Sequence, residues 1–203
     1  MSINRRQLLA SSAAVSAMGA ALNTSAKKAD SRASQGPISS FDGSQDTLPG
    51  ATGFNIEDRL AIVNLCNSYA SGYDADDFER WLMQFTSDPV CTIYNPGAEP
   101  IRVAGDEFRH LFKQFRNSAT NDNVQPLHYN GNLMIKAQTA DTAIAEMYMF
   151  YIPFDVTAQD NSGIHSGALS ITGTSRYRFE MVKGGDNVWR IAEYTISFDQ
   201  KTV

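Results

Sequence analysis

The chain has 203 residues, with 17 Lys and Arg against 22 Asp and Glu, three His and two Cys. A net charge of −5 and 42% hydrophobic residues describe a folded domain with a tail, not a disordered chain, and the acidic balance lacks the basic stripe that a phosphate backbone requires. Two cysteines cannot build a disulfide framework, and their spacing is neither C-x-x-C nor zinc-like.

Residues 1–26 read as an address. Arg5 and Arg6 precede Leu8, Leu9 and an uncharged run of small and apolar residues that reaches Lys27, with Thr24-Ser25-Ala26 as a cleavage site. That is the build of an export signal. The paired arginines resemble the twin-arginine type, which carries folded proteins. The expectation is a periplasmic protein with no membrane attachment once the signal is removed; the alternative is an uncleaved anchor. Residues 27–53 are rich in Ser, Gly, Asp and Pro without period, a flexible linker. The domain itself is placed at residues 54–203.

Asn55 suits a helix cap, with Glu57 and Asp58 in the first turn where the dipole favours acids. Ile62, Cys66, Tyr69 and Tyr73 then recur at helical spacing, so the first helix is expected to run to Gly72-Tyr73-Asp74. A second helix, DDFERWLMQF, ends at Asp88-Pro89. Val90 to Tyr94 reads as a strand and Ile101 to Ala104 as its short partner. Gly105-Asp106 opens a third helix with Phe108, Leu111, Phe112 and Phe115 inward. From Val124 the period becomes two. LHYNGNLMIK sets Leu127, Tyr129, Leu133 and Ile135 against His128, Asn130, Asn132 and Met134. TAIAEMYMFYIPF, GALSITGTSRYRFEMV and VWRIAEYTISF read as three more long strands, the last two joined at Gly184-Gly185-Asp186. Three N-terminal helices packed on a strongly curved antiparallel sheet make an α+β domain.

That order, with the opening IEDRLAIVNLCNSYASGYDADDFERWLMQFTSDPV, resembles the SnoaL-like branch of the nuclear transport factor 2 (NTF2-like) superfamily. The resemblance covers about Phe54 to Asp199 and implies a cone-shaped fold that hosts many chemistries. Within the superfamily the chemistry most resembles that of scytalone dehydratase. The resemblance equates Tyr73-Asp74 with its Tyr-Asp at the end of the first helix, Tyr94 with a tyrosine on its first strand, and His128 with its first catalytic histidine. Phe154 stands where its second histidine would be, and Ser175 and Tyr177 fall where it has Ser and Asn. It also implies a homodimer or higher homo-oligomer through the open sheet face.

His128, Asp74, Tyr73 and Tyr94 are therefore the expected catalytic set. A carboxylate on the imidazole would fix its tautomer, the ring would act as base and acid, and the phenols would meet a developing oxyanion. Phe154, Tyr148, Phe150, Ser175, Tyr177 and Asn130 are the expected substrate contacts. The partner is a small aromatic or cyclic molecule, and no metal, cofactor or nucleic acid is called for. Two readings of Asp74 stand: partner of His128, or cap of the second helix. Two also stand for function: a cofactor-free lyase, or a module that binds a hydrophobic molecule without turnover, with isomerase or cyclase chemistry as a variant of the first. His165, on a loop-like stretch, is a further candidate. His110 is read as a surface residue, and Cys66 and Cys91 as buried thiols.

Overall fold

The computed structural model describes residues 55–159, 165–169, 171 and 173–199, so the expected signal and linker lie outside the described residues. Helix α1 (Ile56–Ser68) starts at Asn55, whose side chain accepts from the N–H groups of Glu57 and Asp58 at 2.9 and 3.1 Å. Those donors have no partner within the helix. Ile62, Cys66 and Tyr69 are buried, and Asp58 shares their stripe. Its carboxylate accepts from Lys183 Nζ at 2.8 Å and Trp189 Nε1 at 2.9 Å. Lys183 above all, then Trp189, holds the Asp58 carboxyl below the ordinary range.

The first helix stops earlier than expected. A separate turn, α2 (Ser71–Asp74), follows it, and then α3 (Phe78–Leu82). Gly72 explains the tight step: a β-carbon there would lie 2.9 Å from Trp81 N and 3.1 Å from Asp77 O. Asp77 caps α3, its Oδ1 accepting from Arg80 N–H at 3.1 Å. Asp74 is thereby released from the capping role. Trp81 is fully buried against Phe85, Phe108 and Phe112, with ring centroids 4.7, 5.6 and 5.1 Å away. Phe108, Leu111 and Phe112 come from α4 (Gly105–Asn121), and Arg116 takes the next buried place on that helix. The described chain thus has four helical segments where three were expected.

Six strands form the main sheet in the order β2 (Ile101–Ala104), β1 (Phe85–Tyr94), β9 (Trp189–Phe198), β8 (Gly173–Lys183), β5 (Thr142–Tyr151), β4 (His128–Gln138). A second sheet holds β3 (Val124–Gln125), β6 (Phe154–Gln159) and β7 (His165–Leu169). Three expectations are corrected here. GALSITGTSRYRFEMV is not one strand but is divided between β7 and β8, in different sheets. The sheet is not wholly antiparallel, because β1 runs parallel to β9. The long strand expected through Phe154 breaks at Ile152-Pro153, where proline has no N–H for the ladder, and the chain passes into the second sheet.

Register separates the two faces, since paired residues share a side. One row across five strands is Ile135, Ala145, Phe179, Tyr194 and Cys91. It faces the helices, and Tyr69, Tyr177, Phe179 and Tyr194 pack there with centroid spacings from 5.1 to 6.0 Å. The centre of the cone is therefore filled by rings. The next row, Gly131, Tyr148, Arg176, Ser197 and Tyr94, faces outward. Arg178 lies on that outer face too, bonded to Glu146 at 2.9 Å and Glu180 at 3.3 Å.

Candidate active site

At the rim of the cone, the end of α2 meets the start of β4. Asp74 Oδ1 lies 2.5 Å from His128 Nδ1, and Asp74 Oδ2 accepts from His128 N–H at 2.8 Å. Both side chains are mostly shielded, 12% exposed for His128 and 16% for Asp74. A carboxylate only accepts, so the Nδ1 hydrogen points at Asp74 and Nε2 of the neutral ring is left with its lone pair free. Gln125 Nε2 donates to the backbone carbonyl of Asp74, anchoring the main chain that carries the carboxylate.

Two phenols flank the imidazole. The Tyr73 ring stands nearly perpendicular to it at 5.8 Å, with its hydroxyl 3.4 Å from the Phe112 carbonyl. Tyr151, the cross-strand partner of His128, lies at 5.2 Å. Burial pushes the Tyr73 hydroxyl well above its ordinary pKa, and burial followed by the Asp74 charge pushes Tyr151 up to about 12. Both are hydrogen-bond donors at neutral pH. Arg116 opposes those shifts with its positive charge. It is buried on α4, 3.0 Å from Asp76 Oδ1 and bonded through Nη1 to Thr120 Oγ1 at 3.0 Å.

The next row inward on this face is Asn130, Met149, Ser175 and Phe198. Asn130 Oδ1 and Ser175 Oγ are buried there without a hydrogen-bond partner. The Ser175 hydroxyl lies near enough to Tyr177 to favour its ionised form, as the weakest of the causes acting on it, but makes no bond of ordinary geometry. Tyr177 is packed in the ring cluster, and Phe154 opens β6 opposite Gln125, half-buried beside the site.

Three expected site residues are elsewhere. Tyr94, Tyr148 and Phe150 stand on the outer face, registered with Ser197, Arg176 and Thr174. On β5 the alternation is unbroken, and Ala145, Met147 and Met149 fill the inner positions, which turns Tyr148 and Phe150 outward; β4 instead carries a bulge. Asn132 takes φ 52° and the register slips between Gly131 and Met134. His128 and Asn130 consequently share the inner side with Leu133 and Ile135, while Tyr129 is 66% exposed. Tyr94 falls outside because its neighbour Ile93 fills the inner position. A shallow cleft on the outer face is lined by Met134, Glu146, Tyr148, Arg176 and Arg178, and another lies by Met83, Thr86 and Arg109. Neither reaches the Asp74–His128 pair. Among the described residues no three His, Cys, Asp or Glu converge as a metal site. His110 is a surface residue next to Gln114, and Cys66 and Cys91 are buried and unbridged. His165 begins β7.

Sequence reasoning missed Tyr151 and Arg116. Counting outward from the β4–β5 turn, where Gln138 pairs with Ala143, puts Pro153 opposite His128; register slips on β4 move the partner to Tyr151. Arg116 was legible as the residue one helical turn beyond Phe112.

Residues 55–195 match the SnoaL-like domain. The chain belongs to the SnoaL-like family. Solved structures agree with this SnoaL-like fold. A Novosphingobium aromaticivorans protein provisionally named an aromatic ring hydroxylase is 26% identical, with a TM-score of 0.53 over 73% of this chain and 93% of that one. An NTF2-like protein with a cystatin-like fold from the same organism is 18% identical, with a TM-score of 0.53 over 71% and 84%. ActVI-ORFA of Streptomyces coelicolor is 13% identical, with a TM-score of 0.54 over 70% and 98%. No curated protein matches the SnoaL-like chain.

Proposed function

We propose that this SnoaL-like domain is a cofactor-free lyase acting on a small hydroxylated aromatic or cyclic compound, by dehydration or by aldehyde elimination. The observation that carries the reading is the double contact of Asp74 with the ring and backbone of His128, at 2.5 and 2.8 Å. It leaves Nε2 as a base held in one orientation beside Tyr73. In dehydration, Nε2 takes a proton from carbon, the electron pair forms the new double bond, and the departing hydroxide takes that proton and leaves as water. In aldehyde elimination, Nε2 takes a hydroxyl proton, the carbon–carbon bond breaks as the aldehyde carbonyl forms, and the remaining carbanion is protonated by the imidazolium. Both schemes return the ring to its starting state and neither needs a redox partner. General acid–base catalysis of this kind is worth roughly 10²–10⁴-fold.

Tyr73 supplies a hydrogen bond to the oxygen on which charge gathers by turning its O–H from the long 3.4 Å bond to the Phe112 carbonyl, and Ser175 and Asn130 orient the substrate through their spare polar atoms. Twin-arginine export to the periplasm belongs to the same proposal, on the strength of Arg5-Arg6 and the uncharged run that follows. Self-association through the outer sheet face does too, supported by the exposure of Tyr129, Tyr148 and Phe150 there.

The test is to incubate the purified protein with a panel of hydroxylated aromatic compounds and weigh the products. Loss of water or of formaldehyde from a substrate, abolished in His128→Ala, is the expected result. A product of unchanged mass would make the protein an isomerase or cyclase. Binding without any turnover would make it a carrier, and the lyase reading would be wrong.

A further inference from the structure

Tyr151 is the direct cross-strand partner of His128, and its ring lies 5.2 Å from the imidazole at 56°. Direct antiparallel partners hold their side chains on one face, about 4.5–5.5 Å apart at the β-carbons. Buried tyrosines ordinarily spend their hydroxyl on a partner, as Tyr69 and Tyr194 do on each other at 2.6 Å. Tyr151 is only half-buried, and its hydroxyl has no protein partner among the described residues; neither has Nε2 of the half-buried His128. The next row of the same face adds the unpartnered Asn130 Oδ1 and Ser175 Oγ, the latter on a residue with no exposed surface. Four spare polar atoms thus gather on one patch of a mostly apolar wall.

Resting on the lyase reading above, we propose that Tyr151 is a catalytic residue of this site: its hydroxyl donates a hydrogen bond to the substrate oxygen that becomes anionic as His128 takes the proton. The substrate class that follows is a phenol or an enolisable carbonyl compound, whose oxygen can carry that charge. Arg116 is a positioning residue in this scheme. Its buried positive charge favours the ionised form of Tyr151 and of Tyr73, which makes both better donors to an oxyanion.

4-Nitrophenol tests this on the full chain, because its absorbance separates bound phenolate from bound phenol. The parent is expected to bind the phenolate. Tyr151→Phe keeps the ring against His128 and removes only the donor, so affinity should fall roughly ten- to a hundredfold, the worth of one hydrogen bond to a charged group. Tyr151→His, which restores a donor, should recover part of the loss, and His110→Gln at the surface of α4 should change nothing. Circular dichroism and a melting curve establish that each variant is folded. If Tyr151→Phe binds the phenolate as the parent does while His128→Gln loses it, the Tyr151 role is overturned and the His128 site stands. If Phe and His at position 151 bind equally weakly, the loss is one of packing and the donor role is likewise overturned. If the parent binds no phenolate, or His128→Gln binds it as well as the parent, the site reading and the Tyr151 role fall together.

Discussion

Asp74→Asn is the sharpest probe of the rim site. The parent carboxylate accepts twice, from His128 N–H at 2.8 Å and from Nδ1 at 2.5 Å. An amide has one oxygen. If it stays on the backbone N–H, the amide hydrogens face Nδ1, and the ring must take the other tautomer with its proton on Nε2. That atom can then no longer serve as the base, and turnover should fall roughly 10²–10⁴-fold. Stability should fall as well. One hydrogen bond to a charged group is worth about 1.5–3 kcal/mol, and the pair is largely shielded, so solvent screening takes little from that figure. For a domain of this size the loss converts to a Tm lower by about 3–12 °C. Nitrogen-15 NMR of the imidazoles reads the tautomer directly, with His110 and His165 as internal references and His128→Gln to assign the signal. The parent should show a protonated Nδ1 and a bare Nε2, and the variant the reverse. A parent signal with its proton on Nε2, or a variant with unchanged spectrum and Tm, would refute the reasoning.

Gly72→Ala should cost about 1–3 kcal/mol, the usual penalty for overpacking, because the new carbon meets the Trp81 backbone at 2.9 Å; a denaturant midpoint equal to the parent's would contradict this. Asp58 contributes stability that is present above its unfolded value of 3.8 and lost as the pH falls through its lower folded-state value. The Tm gap between parent and Asp58→Asn should therefore be widest near neutrality and close in acid, and a gap that widens in acid would reverse the sign of the argument. Burial pushes the Cys66 thiol up to about 12 and the Cys91 thiol well above its ordinary value. Ellman's reagent at mildly alkaline pH should find almost no thiol in the native protein and two per chain after denaturation; fast native labelling would count against the packed core.

Local features were legible from the residues. The Asn55 cap and the Phe108, Leu111, Phe112 stripe follow from spacing and capping chemistry, which act within a few residues. The meeting of Asp74 and His128 was legible only through the resemblance, since 54 positions separate them. The face of each strand was harder. Both faces of β4 and β5 carry aromatic rings, so alternation alone does not say which side is wet, and Tyr148 and Phe150 were placed inside on that account. The bulge at Asn132 inverted the count along β4, a choice made by the packed sheet and not by the local sequence. Pairing of β1 with β9 had no local signal at all.

That last pairing bears on how the molecule comes together. β9 sits between β1 and β8, so the first strands of the domain join the main sheet only through the last, with Tyr94 beside Ser197. Contacts of such long sequence separation demand loop closure before they return any stabilisation, and they slow folding. The β1–β2 hairpin must wait, without its seat in the main sheet, until β9 arrives. Lesions in β9 should therefore raise the kinetic barrier and feed aggregation more than lesions of equal energetic weight in the peripheral β2.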